Sequence, residues 1–336
     1  MRKAEAILRW GGAAPTVGRS DVQEAVWRRS ETRPPPREEL SYFGDQIVLV
    51  PSRDLMGQFS RSPNGRYMLV WSDADQAGGR GGFRESGEGR YLLLDDGQVI
   101  VEGGLQRLND GKVADNGVFL LNDWLFSQSL HGKVCAFAAD GRPLLAHPVA
   151  ANLYNNGLSA DGGFAAVHTC NAPTDDANRL MVFDLGTGVL AAKFTPEIGW
   201  ADHYAFSGPD RIVRLGLRDG GQFAYSFDGV FVDRAAWLDH GLATGQLMVL
   251  EALVRDAGGR IDAALAVRMA PGLERALAQP NLHSSSRARL LRYRAEGHEA
   301  QGEAKAALAV YEEALLADPK LGVKRKISQL RKQLAD

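Results

Sequence analysis

A short polar turn running straight into an apolar strand occurs four times in this chain, and the repeat limits the fold more than any other feature. Ser159-Ala160-Asp161-Gly162-Gly163 precedes the apolar stretch 164–170, and Ser62-Pro63-Asn64-Gly65 precedes 66–71. Ala114-Asp115-Asn116-Gly117 precedes 118–121, and Ser207-Gly208-Pro209-Asp210 precedes 211–215. The turns begin at 62, 114, 159 and 207, so the steps are 52, 45 and 48 residues. Each unit continues with a second apolar strand, a second Asp/Gly turn and a third strand. These are 91–94, Asp95-Asp96-Gly97 and 99–101 in the first unit, then 134–137, Asp140-Gly141 and 144–145 in the second. The third has 180–183, 184–188 and 189–194, and the fourth has 223–227, Asp228-Gly229 and 230–232. Asp-Gly and Asn-Gly pairs supply the positive φ that hairpin turns need, so the pattern predicts antiparallel strands joined by hairpins. A unit of this size cannot bury both of its faces alone, and stacking on its neighbours must do so.

The run 159–167, followed by Val182-Phe183-Asp184-Leu185-Gly186-Thr187-Gly188, resembles a blade of the WD-like and quinoprotein-like β-propeller superfamily. The resemblance covers roughly 45–235, without that family's Gly-His and Trp-Asp dipeptides. It implies that the first turn joins the two inner strands of a blade and the second turn the outer pair. Four units are clear. The apolar stretch at 47–50, paired with 246–254 read as a strand, would complete a fifth, so four to five blades are expected.

From about Gly258 the apolar period becomes helical. Ile261, Leu265, Met269, Leu273 and Leu277 recur at i+4 spacing, broken at Pro271-Gly272 and ended by Pro280. Ser284-Ser285-Ser286 reads as a cap opening a helix over 287–299, and a second helix follows over 303–316. Gly302, Ala307, Tyr311, Ala314 and Pro319 fall at the spacing of the second half of a tetratricopeptide repeat, which 286–319 resembles. The resemblance implies that Arg289, Arg292, Glu296 and Glu299 face a groove, and a basic helix over 321–334 closes the array.

The expected fold class is therefore mainly β with an α-helical C-terminal segment. A helical arm with a Pro-rich linker occupies 1–44, a small β-propeller 45–256, and tetratricopeptide-like helices 257–336. Basic and acidic residues number 39 and 41, so no general field draws the chain to nucleic acid or to a membrane surface. Cys135 and Cys170 each sit in an apolar strand pattern and read as reduced, packed thiols. Glu5 and Arg9 interrupt the N-terminal stretch where a secretory apolar region would lie, and no run is apolar enough to cross a bilayer, so a cytoplasmic protein is expected. Its richness in Ala, Arg and Gly points to a bacterial source.

Few residues suggest chemistry. His168 and Cys170 share one face of a strand, but two ligands do not make a metal site. Asp73 to Gly78 begins like a calcium loop and then places Ala77 and Arg84 where oxygen ligands are needed. Asp202 and His203 are adjacent on a strand and so point to opposite faces. No cofactor is expected. The repeats disagree most in two insertions, 72–89 and 171–178, at equivalent places, so both emerge on one face. The expected function is a non-enzymatic protein-binding scaffold. Its expected contacts are Asp73, Asp75, Arg80, Phe83, Arg84, Asp175 and Asp176 in the loops, with Arg289, Arg292, Glu296 and Glu299 in the tail. Two rivals are an enzyme or small-ligand sensor using a central pocket near His168, and a nucleic-acid binder using Arg80, Arg84 and the basic last helix.

Overall fold

In the computed structural model, the structure describes residues 37–75, 81, 82, 84–126, 130–218 and 220–335. The expected helices of the N-terminal arm and the triple proline lie outside these residues. Among the described residues, four antiparallel sheets come first and six helices follow.

The first sheet joins β1 (Ser41–Phe43), β2 (Ile47–Val50), β3 (Leu55–Arg61), β4 (Tyr67–Ser72), β5 (Gly89–Asp95) and β6 (Gln98–Leu105) in chain order. The second contains β7 (Leu108–Val113), β8 (Phe119–Asp123), β9 (Gly132–Phe137) and β10 (Pro143–Val149). The third contains β11 (Leu153–Leu158), β12 (Phe164–Thr169), β13 (Leu180–Asp184) and β14 (Val189–Phe194). The fourth has β15 (His203–Ser207), β16 (Ile212–Gly216) and β17 (Gln222–Ser226).

The apolar runs are continuous because these strands bury both faces. Along β8, Phe119 and Leu121 face a cluster shared with Leu69, Trp71 and Leu93 of the first sheet. Leu120, between them, faces Val167, Met181 and Phe183 of the third. The third sheet turns Ala166, Leu180 and Val182 toward Val213 and Leu215 of the fourth. The sheets therefore stack in chain order, each burying a face on the next. On β16, Arg214 alternates with Val213 and Leu215 and is exposed, so the fourth sheet keeps one polar face in water.

The repeated turns tie neighbouring sheets together. Asn64 N donates to Asp115 Oδ1 at 2.7 Å, Asp115 N to Ala160 O at 2.8 Å, and Asn116 Nδ2 to Asp161 O at 2.7 Å. Within a turn, Ser159 Oγ donates to Asp161 Oδ1 at 2.6 Å and accepts from Phe164 N at 2.9 Å, and Ser62 holds Asn64 and Tyr67 N in the same way. Gly65, Gly117 and Gly162 take φ of 75°, 80° and 71°, the left-handed conformation that the turn requires. Ser159→Ala is expected to cost about 1–2 kcal/mol, because it leaves a buried Phe164 amide without its acceptor. Urea unfolding checks this, with the exposed counterpart Ser207→Ala expected to cost less than half as much.

The helical part starts earlier than the sequence pattern suggested. It comprises α1 (Arg234–Thr244), α2 (Leu247–Asp256), α3 (Ala263–Leu277), α4 (Ser284–Ala300), α5 (Ala304–Ala317) and α6 (Lys324–Ala335). The stretch 246–254, read above as a strand, is helical, because Val249, Leu250 and Leu253 lie on one buried helix face. A short apolar run fits either period, and packing decides. β2 instead pairs with β3, and β1 extends the first sheet, so no fifth sheet forms. The expected third strand of the last unit reduces to one bridge between Tyr225 and Phe231. Helix α3 also runs through Pro271, held by Met269, Leu273 and Ala276 against the core. Trp237 joins the two parts: Phe231 lies between its ring and Tyr225, at 5.5 and 4.2 Å, and Phe194 of β14 lies 5.3 Å beyond. Glu197 reinforces this joint, accepting from Arg234 at 2.9 Å and Arg255 at 3.0 Å.

Candidate interaction face

The β4–β5, β8–β9 and β12–β13 connections all leave the ends of the strands opposite the repeated turns, and side chains knit them into one face. Arg84 donates to Asp73 Oδ1 at 2.9 Å and to Gln106 O at 2.7 Å, and its guanidinium lies 5.4 Å from the Phe126 ring centre. Trp124 carries the Arg107 guanidinium at 5.2 Å and donates from Nε1 to Leu153 O at 2.9 Å, which links the second sheet to the start of β11. The β12–β13 connection is anchored where Asp176 accepts from Ala150 N at 2.6 Å and from Lys193 at 2.5 Å. Burial opposes ionisation of Asp176, but these two bonds win and hold its carboxyl below the usual range.

Beside this frame two aromatic rings stand in water. Tyr154 and Trp200 stack with centroids 4.6 Å apart, and they remain 36% and 43% exposed. Behind them Tyr204 donates to Asn155 Oδ1 at 2.6 Å, and Asn155 donates to Ala201 O at 2.6 Å, which fixes the loop carrying Trp200. Burial, with Asp110, Tyr154 and Asp202 nearby, pushes the Tyr204 hydroxyl well above its ordinary pKa, so it stays a donor. Tyr and Trp supply large contact area at low entropic cost, and a ring pair set on a rigid frame is the composition of an interface centre.

Arg84 is used internally, its side chain 9% exposed, and it braces the loop instead of presenting charge. Asp73 serves the same loop, accepting from Gly82 N at 2.5 Å, and Asp75 packs beside Gly87. Arg80 and Phe83 lie outside the described residues. Asp175 is exposed, its carbonyl accepting from Arg179 at 2.9 Å, while Asp176 is committed to Lys193. On α4, Arg289, Arg292, Glu296 and Glu299 do share a face, but their charges are largely satisfied within the chain. Arg289 pairs with Glu251 of α2, and Arg292 with Glu296 at 3.5 Å. Glu299 accepts from Tyr311 at 2.5 Å and from Lys326 of α6 at 3.0 Å. Burial raises the pKa of Glu296, against the pull of Arg292.

The sequence reading missed Trp124, Phe126, Tyr154 and Trp200. Trp200 carried a signal, a large aromatic in an interstrand loop, whereas Tyr154 sits in a strand too polar to be recognised.

The residues weighed for catalysis do not converge on one another. His168 is buried with Nδ1 unpartnered, and burial lowers its pKa to about 4. Asp202 pairs with Arg218 at 3.2 Å, while His203 contacts Gln222 at 2.9 Å. Asn156 donates to Asp110 from N and Nδ2, at 3.1 and 3.3 Å, and joins the second and third sheets rather than lining an open site. Among the described residues no group of three or more His, Cys, Asp or Glu side chains is placed to hold a metal ion. Cys135 is buried with its thiol pushed up to about 12, and Cys170, just past the end of β12, is half-buried; both are free.

What the fold and this face define is a chain of four antiparallel sheets followed by helices, with an aromatic patch at the loop end. No family model matches the chain, and no curated protein matches it in sequence. Among solved structures, the computationally designed Ika4 protein is similar at 13% identity and a TM-score of 0.32, over 58% of this chain and 94% of that one. Hsv2 of Kluyvelomyces marxianus is similar at 9% identity and a TM-score of 0.33, over 55% of each chain. No helix among the described residues is long and apolar enough to cross a membrane.

Proposed function

We propose that the chain is a non-enzymatic protein-binding scaffold, an adaptor, assembly subunit or partner-neutralising protein, that grips another polypeptide with its loop face. In this reading the four sheets act as blades of a small, propeller-like array, and the helices form a tetratricopeptide-like tail. The observation that carries the reading is the exposed Tyr154–Trp200 stack, set among Arg, Trp and Phe side chains that are themselves bonded into the loops. Exposed aromatic pairs on a braced frame cost little entropy to bury and give steep, local binding energy. A catalytic reading lacks a comparable support, since His168 has no carboxylate partner.

The test is affinity capture from lysate of the source organism with the full chain and with Tyr154→Ala/Trp200→Ala. A polypeptide retained by the native chain is expected to lose about 2 kcal/mol of binding, roughly thirtyfold, in the double variant. Both chains should melt at the same temperature, because the rings project from the core. Retention of the same polypeptides at the same strength by both chains would sink the proposal.

A further inference from the structure

The last two helices enclose an apolar groove of roughly 680 Å³, far along the chain from the loop face. Leu315, Leu316 and Ile327 form its floor, and Leu316 is 84% exposed, the most exposed of the large apolar side chains. Leu330 and Ile327 pack with Tyr311 and Ala307 on the inner side, so α6 is firmly docked and the groove is a fixed feature. Helix α6 carries Lys324, Arg325, Lys326, Arg331 and Lys332 and no acidic residue. Two of these are neutralised internally, Lys326 by Glu299 at 3.0 Å and Arg331 by Glu312 at 2.6 Å. Lys324 and Lys332 line the groove and make no ion pair among the described residues. They are eight positions apart on one helix, which places them about 12 Å from each other.

We propose that this groove receives an amphipathic α-helix of a partner protein whose apolar stripe is flanked by acidic side chains. The site is the space between two helices, so a third helix fits it ridge into groove. Carboxylates seven or eight positions apart on that helix, about 12 Å, bracket its apolar stripe and meet Lys324 and Lys332. Charge decides against the other occupants. A second copy of this chain would bring the same lysines opposite their equivalents. The N-terminal 36 residues carry seven basic and four acidic side chains, again the wrong sign.

The experiment uses the full chain and two labelled helix-forming peptides of about 18 residues, five turns, with one Leu stripe and either Glu or Lys flanks. Fluorescence anisotropy should show the Glu peptide binding about tenfold more tightly than the Lys peptide, with the preference shrinking as salt is added. Lys324→Glu/Lys332→Glu should reverse the order. Leu316→Asp should abolish binding of both peptides with an unchanged melting curve, since this side chain is exposed. Tyr154→Ala/Trp200→Ala should leave peptide binding intact, so the two surfaces succeed or fail separately. Equal affinity for both peptides, or a preference that survives the lysine reversal, overturns the proposal. So does self-association on the ultracentrifuge that Leu316→Asp abolishes and the Glu peptide does not disperse, which assigns the groove to a second copy.

Discussion

Trp237→Ala is expected to destabilise the protein by about 3–5 kcal/mol, the cost of emptying a large aromatic site in a packed core. The side chain is 1% exposed and lies where the fourth sheet, α1 and the Phe231 ring meet. The loss should exceed that of any surface change, because the cavity opens at a joint: Tyr225 loses the backing of Phe231, and Val249 and Leu250 of α2 lose a shared neighbour. Trp237→Phe should cost much less. It removes volume, but it also removes a buried indole N–H that has no partner, and this offsets part of the loss. Urea unfolding followed by circular dichroism reads both values. If alanine and phenylalanine cost the same, the joint is not held by Trp237 packing.

The second large effect is acid destabilisation through His168. Its pKa is about 4 in the folded chain against 6.5 for the free side chain, and burial is the cause. Between these values the unfolded chain binds a proton at this position and the folded chain does not. Stability is therefore fully present above pH 6.5, falls as the pH drops through the window and levels off near pH 4. The loss is about 3 kcal/mol, at 1.4 kcal/mol per pH unit. Burial also lowers the pKa of half-buried His147, which adds a smaller contribution of the same sign. His168→Leu places an apolar side chain among Ala166 and Leu180 and removes the orphaned Nδ1. Denaturation midpoints measured from pH 4 to pH 7.5 should then show a slope reduced by one proton. An unchanged slope would mean that another group titrates.

Much of the architecture was readable because the strands that lie second and third in each sheet are buried on both faces. Their runs, such as 67–71 and 180–183, are uniformly apolar and bounded by Asp/Gly turns, so period and punctuation agreed. The leading strands were not readable. β7 contains Asn109, Asp110 and Gly111, and β11 contains Asn155, Asn156 and Gly157, residues poor in strand propensity. Crowding where sheets converge explains them. A side chain at Gly157 would meet the Tyr204 ring at 2.5 Å, and one at Gly111 would meet Leu69, Leu121 and Trp71 at about 3 Å. Asp110 and Asn156 bond each other across the same gap, so polarity there is structural. The helix at 247–256 was misjudged because nine apolar-rich residues carry no period of their own, and only α1 and α3 select the helical one. On the candidate face, charged loop residues were legible as charges. That Arg84 and Asp176 spend theirs inside the fold depends on Gln106, Phe126 and Lys193, whose proximity no local pattern encodes.

The hydrogen bonds that pass from turn to turn also have a mechanical consequence. Along that edge the sheets are joined by contacts in which main-chain groups take part, Asn64 to Asp115, Asp115 to Ala160 and Asn116 to Asp161. At the opposite edge adjoining sheets meet mainly through long side chains such as Arg84, Trp124 and Tyr204. The stack thus has a stiff spine and a compliant fore-edge. Small rotations about the spine would change the spacing between loops most at the end where the aromatic pair stands, and a bound polypeptide would be felt by every sheet along the row.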